Sequence, residues 1–317
     1  MVLSRTATNV LNKTYYDASH PAGYGTAQQL FRHLKTQKHV KASLADIKDW
    51  LAAQTVYTLH KRRILKYPER KIITHGVGFQ YQADLIVLPA IQRENGGNRY
   101  IFVIIDVFSR FAYAEPCKTK SPADVITAFS RILKRMSKPP IKLQTDQGTE
   151  FLGSLFQKFL AKHKIIHFFS YSDNKAAIVE RFIRTLCTRL YKYMSENNTL
   201  NYTRVLPHMI NSYNGRIHRS IGIAPRAVNK TNEQKIWTRQ YGKYLASKKK
   251  QKFIIGDKVR LSKIKSRFEK GYKKSWTTEI FMIIKVHDTI PFTYSVVDKN
   301  NEPILGVFYT QQLVKVL

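Results

Sequence analysis

The sequence predicts an α/β core of mixed strand order, preceded by a small helical module and followed by a small β-barrel. Three observations carry this reading. Residues 1–60 hold apolar side chains at helical spacing; from Gly76 strand-like runs alternate with helical ones; beyond residue 252 only short strand-like runs divided by turn signals remain. With 317 residues the chain is long enough for two or three domains, each with its own core.

The first module, 1–60, rests on "KASLADIKDWLAAQ". Ser43 is placed to cap a helix with Asp46 three residues on, and Leu44, Ile47, Trp50 and Leu51 share one face. A helix around "TAQQLFRHL" supplies its packing partner, which makes a helix-turn-helix-like DNA-binding unit the expectation and a plain packing module the alternative. A basic linker, 61–75, follows. In the core, 76–228, "FQYQADLIVLP" and "RYIFVIIDVFSRFAYAEP" are rich in β-formers and flank "ENGGN", a hairpin signal. Pairing about that turn places Asp106 near Val87 and Ser109 near Asp84. Ser121 caps the next helix, with Asp124 three residues on; "IKLQTD" is a strand, "EFLGSLFQKFLAKH" helical, "KIIHFFS" a strand and "NKAAIVERFIRTL" the start of a long helix. A second basic linker, 229–252, ends in "KKKQK", and 253–317 holds five short strand-like runs, the pattern of an SH3-like or chromodomain-like barrel.

Lysine and arginine number 54 against 21 acids, a net charge of +33 that favours a polyanionic partner, above all nucleic acid. The apolar run "IFVII" at 101–105 is far short of the roughly 20 residues of a membrane span, and no membrane partner is expected. The N-terminus lacks a signal-peptide pattern, and Cys117 and Cys187 cannot make a disulfide framework, so an intracellular, reduced protein is expected. An apolar content of 43% excludes a disordered basic tail.

In a chain so poor in acids, three carboxylates call for a reason. Asp84 lies inside a strand, where aspartate is disfavoured; Asp146 ends "IKLQTD" before a glycine turn; Glu180 stands on a cationic helix. Strand ends and nearby helix starts of an α/β sheet converge on one crevice, so the three could meet. Carboxylates without a thiol or histidine cluster suit Mg²⁺, with Mn²⁺ as a substitute. Two such ions clamp the attacking and leaving oxygens of a phosphodiester. On the Glu180 helix, Val179, Phe182, Ile183, Leu186, Leu190 and Met194 form the expected buried stripe, while Glu180, Arg184, Cys187 and Tyr191 line up elsewhere. The plainer readings are an i,i+4 pair of Glu180 with Arg184, a strand-end hydrogen-bonding role for Asp106, a helix-start role for Glu150, and capping of the Glu180 helix by Asp173 or Asn174.

The order Asp84, sixty-one residues, Asp146, thirty-three residues, Glu180 resembles the Asp-Asp-Glu signature of retroviral-type integrases of the DDE integrase/transposase superfamily. The segments "IIDVFSRFAYAEP", "TDQGTEF", "KAAIVERFIRTL" and "YNGRIHRSIGIAPRAV" are similar to that core, and "YYDASHPAGYG", "QTVYTLHK" and "PILGVFYTQQLVKV" resemble the integrases of Maverick/Polinton elements. The resemblance implies an RNase H-like core whose Asp84, Asp146 and Glu180 hold a metal pair, 3′-end processing and strand transfer of element DNA into target DNA, and a homo-oligomer on DNA. It makes Lys175, Arg181 and Arg184 candidate DNA contacts. Cys187, where relatives often carry a basic residue, departs from the pattern. In the barrel, "RLSKIKSRFEKGYKKSW" adds Lys263, Lys265, Arg267, Lys273 and Lys274 as candidate DNA contacts. A chromatin reader would need an aromatic cage, for which Trp276, Tyr272 and Phe253 are the candidates. His20, His33, His39 and His60 precede any cysteine, so no zinc is expected in the N-terminal module. Nuclear residence in a eukaryotic host, or carriage in a virus particle, follows. A catalytically silent DNA-binding derivative and an RNase H-like nuclease are the alternatives.

Overall fold

The computed structural model describes residues 3–37, 42–64, 67–169, 176–247, 250–263 and 273–317. The chain forms two compact units, Met1–Lys71 with Lys248–Leu317, and Ile72–Ser247.

The first unit opens with α1 (Arg5–Tyr15), α2 (Ala27–Thr36), α3 (Leu44–Ala53) and α4 (Thr55–His60). The Ser43 hydroxyl accepts from the Asp46 amide at 3.1 Å and the Asp46 carboxylate accepts from the Ser43 amide at 2.9 Å, the predicted cap closed in both directions. The sequence reading did not include α1. It is capped by Ser4 and buries Leu11 and Tyr15 against Leu30, Leu34, Ile47 and Trp50.

The second unit runs β1 (Gln80–Val87), β2 (Tyr100–Asp106), β3 (Ala112–Cys117), α5 (Pro122–Leu133), β4 (Lys142–Thr145), α6 (Thr149–Leu152), α7 (Ser154–Lys162), β5 (Ile166–Phe169), α8 (Ala177–Glu196) and α9 (Leu206–Gly215). The sheet order is β3-β2-β1-β4-β5; β1, β2 and β3 are antiparallel, and β4 and β5 run parallel to β1. Alternation along the strands divides the core in two. Ile86, Ile101, Val103 and Ile105 pack under Val179, Phe182, Leu186, Leu190 and Met194 of α8, while Tyr81, Ala83, Phe102, Ile104 and Leu143 pack under α5 and α7. The α8 stripe is the predicted one, with Ile183 partly buried at its edge.

Three expectations are corrected here. The β1–β2 register pairs Tyr81 with Asp106 and Asp84 with Val103, so "ENGGN" is not the centre of a tight hairpin. The connection instead holds two 3₁₀ turns, Pro89–Ile91 and Arg93–Asn95. Buried Asn95 fixes it there: its amide donates to the carbonyls of Ile91 and Leu200 and its oxygen accepts from the Tyr202 and Thr203 amides. Cys187 does not share a solvent face with Glu180 but packs against the α8 core, where a charged side chain would be desolvated. The stretch read as a second linker is largely helical, with α10 (Lys230–Trp237), a π-turn at Thr238–Gly242 and α11 (Lys243–Leu245). The Asn229 side chain caps α10 by accepting from the Thr231 and Asn232 amides, and Ile236 and Tyr241 pack with Phe108 and Ile221, which gives the segment a core of its own.

The first unit closes with β6 (Lys258–Leu261), β7 (Phe281–His287), β8 (Thr293–Val297), β9 (Phe308–Tyr309) and β10 (Leu313–Lys315), an antiparallel sheet in the order β10-β6-β7-β8-β9. Each of the five strand-like runs contributes one strand. The two ends of the chain are tied together by polar contacts: the Ser275 amide donates to the Leu59 carbonyl, the Trp276 indole to the Lys61 carbonyl, and buried Arg260 to the Thr58 hydroxyl. Phe253 is 1% and Trp276 3% exposed, so neither is free to form a methyl-lysine cage; Tyr272 lies outside the described residues.

Candidate active site

β1 and β4 pair in parallel with Gln82 opposite Gln144. Two residues further along each chain stand Asp84, within β1, and Asp146, just past the end of β4. Alternation puts Gln82, Asp84 and Ile86 on the face that α8 covers, and Glu180 lies exposed in the first turn of that helix. Asp84 and Glu180 therefore stand on one side of the sheet, and Asp146 follows β4, the strand beside β1.

A buried amide bracket ties these elements together. The Gln82 side-chain oxygen accepts from the Ile178 and Val179 amides, each at 3.1 Å, and its nitrogen donates to Gln144 Oε1 at 2.9 Å. Gln80 donates to the same Gln144 oxygen. The first amides of a helix have no partner within the helix, and among the described residues no neighbouring side chain in the sequence caps α8, so Gln82 serves as its cap from the sheet. Sequence reasoning missed this bracket, although "QADL" and "QTD" both place a glutamine two residues before the aspartate and hence on the same face.

Asp84 is half-buried, and its Oδ1 accepts from the Leu85 amide at 2.7 Å. Burial pushes its carboxyl up to about 6, against the Leu85 hydrogen bond, and the charges of Asp146, Glu180 and Glu150 add to the rise. Glu150, read from the sequence as a helix-start residue, does open α6, yet it also belongs to this electrostatic group. Asp146 accepts from the Gly148 amide at 3.1 Å. Among the described residues no ion pair joins Glu180 to Arg184, and no three His, Cys, Asp or Glu side chains are gathered into one ion-holding group.

Asp106 is different. Fully buried, it accepts from the Ser109 hydroxyl and amide and from the amides of Phe108 and Gly78, a saturated strand-end clasp. Of the candidate DNA contacts, Arg181 and Arg184 are exposed on α8, and Lys263, Lys273 and Lys274 are exposed in the other unit. Lys175, Lys265 and Arg267 lie outside the described residues, as do the proposed helix caps Asp173 and Asn174.

His167 on β5 supports the Asp146 end of β4. The Thr145 hydroxyl donates to the Asp146 carbonyl, so the contact between Thr145 Oγ1 and His167 Nε2 requires the ring to donate; Gln157 then donates to Nδ1. Burial pushes this histidine down to about 4, keeping it neutral. An unfolded histidine takes up its proton near pH 6.5, so stability is expected to fall as pH drops from about 6.5 to 4. Asp84, whose raised value favours its protonated form in the fold, acts in the opposite sense. Chemical denaturation across this range should therefore show His167→Gln losing the acid-side decline; an unchanged profile would assign the decline elsewhere.

Residues 75–175 match the Integrase core domain family. Over 191 residues the chain is 34% identical to a transposon-derived protein of Caenorhabditis elegans, covering 60% of this chain and 64% of that one. It is 27% identical over 119 residues to the Gag-Pro-Pol polyprotein of mouse mammary tumor virus, covering 37% of this chain and 7% of the polyprotein. The chain thus spans under two thirds of either relative. In the simian T-cell lymphotropic virus intasome in complex with PP2A regulatory subunit B56 gamma, one chain aligns with a TM-score of 0.64 at 14% identity, covering 98% of this chain and 99% of that one. At that identity the likeness is one of fold, and it is consistent with an RNase H-like sheet. Together the matches support the DDE integrase superfamily for the core.

Proposed function

We propose that this chain is the DNA integrase of a mobile element or virus, of the Maverick/Polinton type, acting by 3′-end processing and strand transfer. The observation that carries the reading is the coupling of the half-buried Asp84 to the charges of Asp146 and Glu180, with both aspartates inside the segment that matches the Integrase core domain and Glu180 just beyond it. The donor set fits divalent cations. It is all carboxylate oxygen, and the like charges that raise Asp84 are what Mg²⁺ or Mn²⁺ would compensate. When bound, a pair of such ions would polarise the scissile phosphodiester and favour the attacking oxygen in its deprotonated form.

In the first step water attacks phosphorus near the element end, and the P–O3′ bond breaks to leave a free 3′-OH. In the second that hydroxyl attacks a target phosphodiester, and the target's own 3′ oxygen departs with the proton. Asp84, Asp146 and Glu180 serve as ligands, with the glutamine bracket holding their elements in step. Lys175, Arg181 and Arg184 bind phosphates beside the site, and Lys263, Lys265, Arg267, Lys273 and Lys274 track DNA from an SH3-like barrel. The chain acts as a homo-oligomer on DNA, in the nucleus where the host is eukaryotic, or carried in a virus particle. A catalytically silent DNA-binding protein is the second reading, favoured by carboxylates not gathered into one ion-holding group.

A strand-joining assay with Mg²⁺ or Mn²⁺ on short duplexes carrying candidate element ends tests the proposal. Joining supports it; duplex binding without joining under either ion selects the silent reading, and cleavage of RNA–DNA hybrids alone selects a nuclease. Because burial pushes the Asp84 carboxyl up to about 6, protons should compete with the metal. The Mg²⁺ concentration for half-maximal joining is expected to be flat above about pH 7 and to rise about tenfold per unit below pH 6. A flat requirement down to pH 5 would remove Asp84 from the metal set.

A further inference from the structure

A pocket of about 280 Å³ opens between α8, the β2–β3 turn and the segment after α9. Arg110, Arg181, Arg216 and Arg219 line it with His218 and Tyr213, and among the described residues no acid stands in its walls. None of the four arginines makes an ion pair among the described residues. Arg110 forms the inner wall. Its backbone is held in the left-handed region at φ +64°, and its guanidinium donates to the Val107 carbonyl at 2.6 Å and to Gln240 Oε1 at 3.0 Å, both uncharged acceptors. Burial lowers its pKa, although a guanidinium keeps its proton in a protein, so the charge persists with no ion pair among the described residues. The charge of Asp106 favours the guanidinium form, but its oxygens are already committed to the Ser109 hydroxyl and to backbone amides.

Four like charges around one concavity repel one another unless an anion sits between them. Arginine forks match phosphate oxygens, and Phe182 and Tyr213 give the pocket an apolar side suited to the attached sugar. Arg181 directly follows Glu180, so the pocket borders the carboxylate group along α8.

We propose that this pocket holds backbone phosphate of the DNA strand that crosses the Asp84–Asp146–Glu180 site, a subsite that fixes the strand's path over α8. The inference rests on the integrase reading above. Arg216 and Arg219 are its exposed arms, and Arg110 sets its depth.

The test is duplex binding by fluorescence anisotropy from 50 to 300 mM salt, with wild type, Arg216→Gln/Arg219→Gln and Lys134→Gln/Lys138→Gln. The lysine pair follows the end of α5, which packs on the other side of the sheet. The arginine pair should lower the slope of log affinity against log salt by roughly two, one for each lost phosphate contact, and raise the KM for DNA in joining with kcat little changed. The lysine pair should leave the slope at the wild-type value. An arginine-pair slope equal to wild type, or an equal loss in the lysine pair, overturns the subsite while wild-type joining still upholds the integrase reading. Wild type that neither binds nor joins DNA overturns that reading itself. Inorganic phosphate bound through Arg216 and Arg219 without displacing duplex would make the ligand a free anion and overturn the DNA assignment.

Discussion

Glu180→Gln is expected to abolish strand joining under Mg²⁺ while leaving duplex binding largely intact. The substitution keeps size and helix propensity and removes only the charge. Glu180 is exposed, makes no ion pair with Arg184 and stands in the group that raises Asp84, so little of the fold depends on it. Losing one ligand of a metal pair removes several kcal/mol of transition-state stabilisation, which corresponds to a loss of at least about 10³-fold in rate. The checks are single-turnover joining and anisotropy on the same preparation. Full activity in the variant would take Glu180 out of the site.

The second large effect is expected at Gln82. Gln82→Ala strips the Ile178 and Val179 amides of their acceptor and Gln144 of one of its two donors, with Val179 and Gln144 buried and Ile178 partly so. Each orphaned buried group costs about 1–3 kcal/mol, so urea denaturation should show a loss of about 2–5 kcal/mol. Joining should fall by about 10²-fold even at a temperature where the variant is folded, because the start of α8 and the Glu180 carboxylate with it lose their anchor to β1 and β4. Gln80→Ala is the comparison: it removes only the other donor to Gln144 and leaves the α8 cap in place. Equal effects of the two substitutions on joining would show that Gln82 acts through general stability alone.

The candidate site was legible in the sequence to the extent that its chemistry is local. Asp84 inside a strand, Asp146 at a strand end and Glu180 on a cationic helix each violate a local preference, and three such violations in an acid-poor chain stand out. Gln82 and Gln144 violate nothing visible at the residue level; their meaning lies in a parallel pairing between segments sixty residues apart. Glu150 was hidden for the opposite reason, since a helix start explains it fully until Asp84 is seen beside it.

The same division runs through the fold. Caps at Ser43 and Ser121, the buried stripe of α8 and the five short strands after residue 252 follow from contacts within a few residues, and the sequence by itself determined them. The β1–β2 register, the packing of Cys187 against the core, the burial of Phe253 and Trp276, and the union of the two chain ends in one unit were decided only by the tertiary structure. Each depends on which distant surface a segment meets. Desolvation and hydrogen-bond satisfaction then select among pairings that local propensity leaves equal, as Asn95 does when it ties the β1–β2 connection to Leu200 and Tyr202.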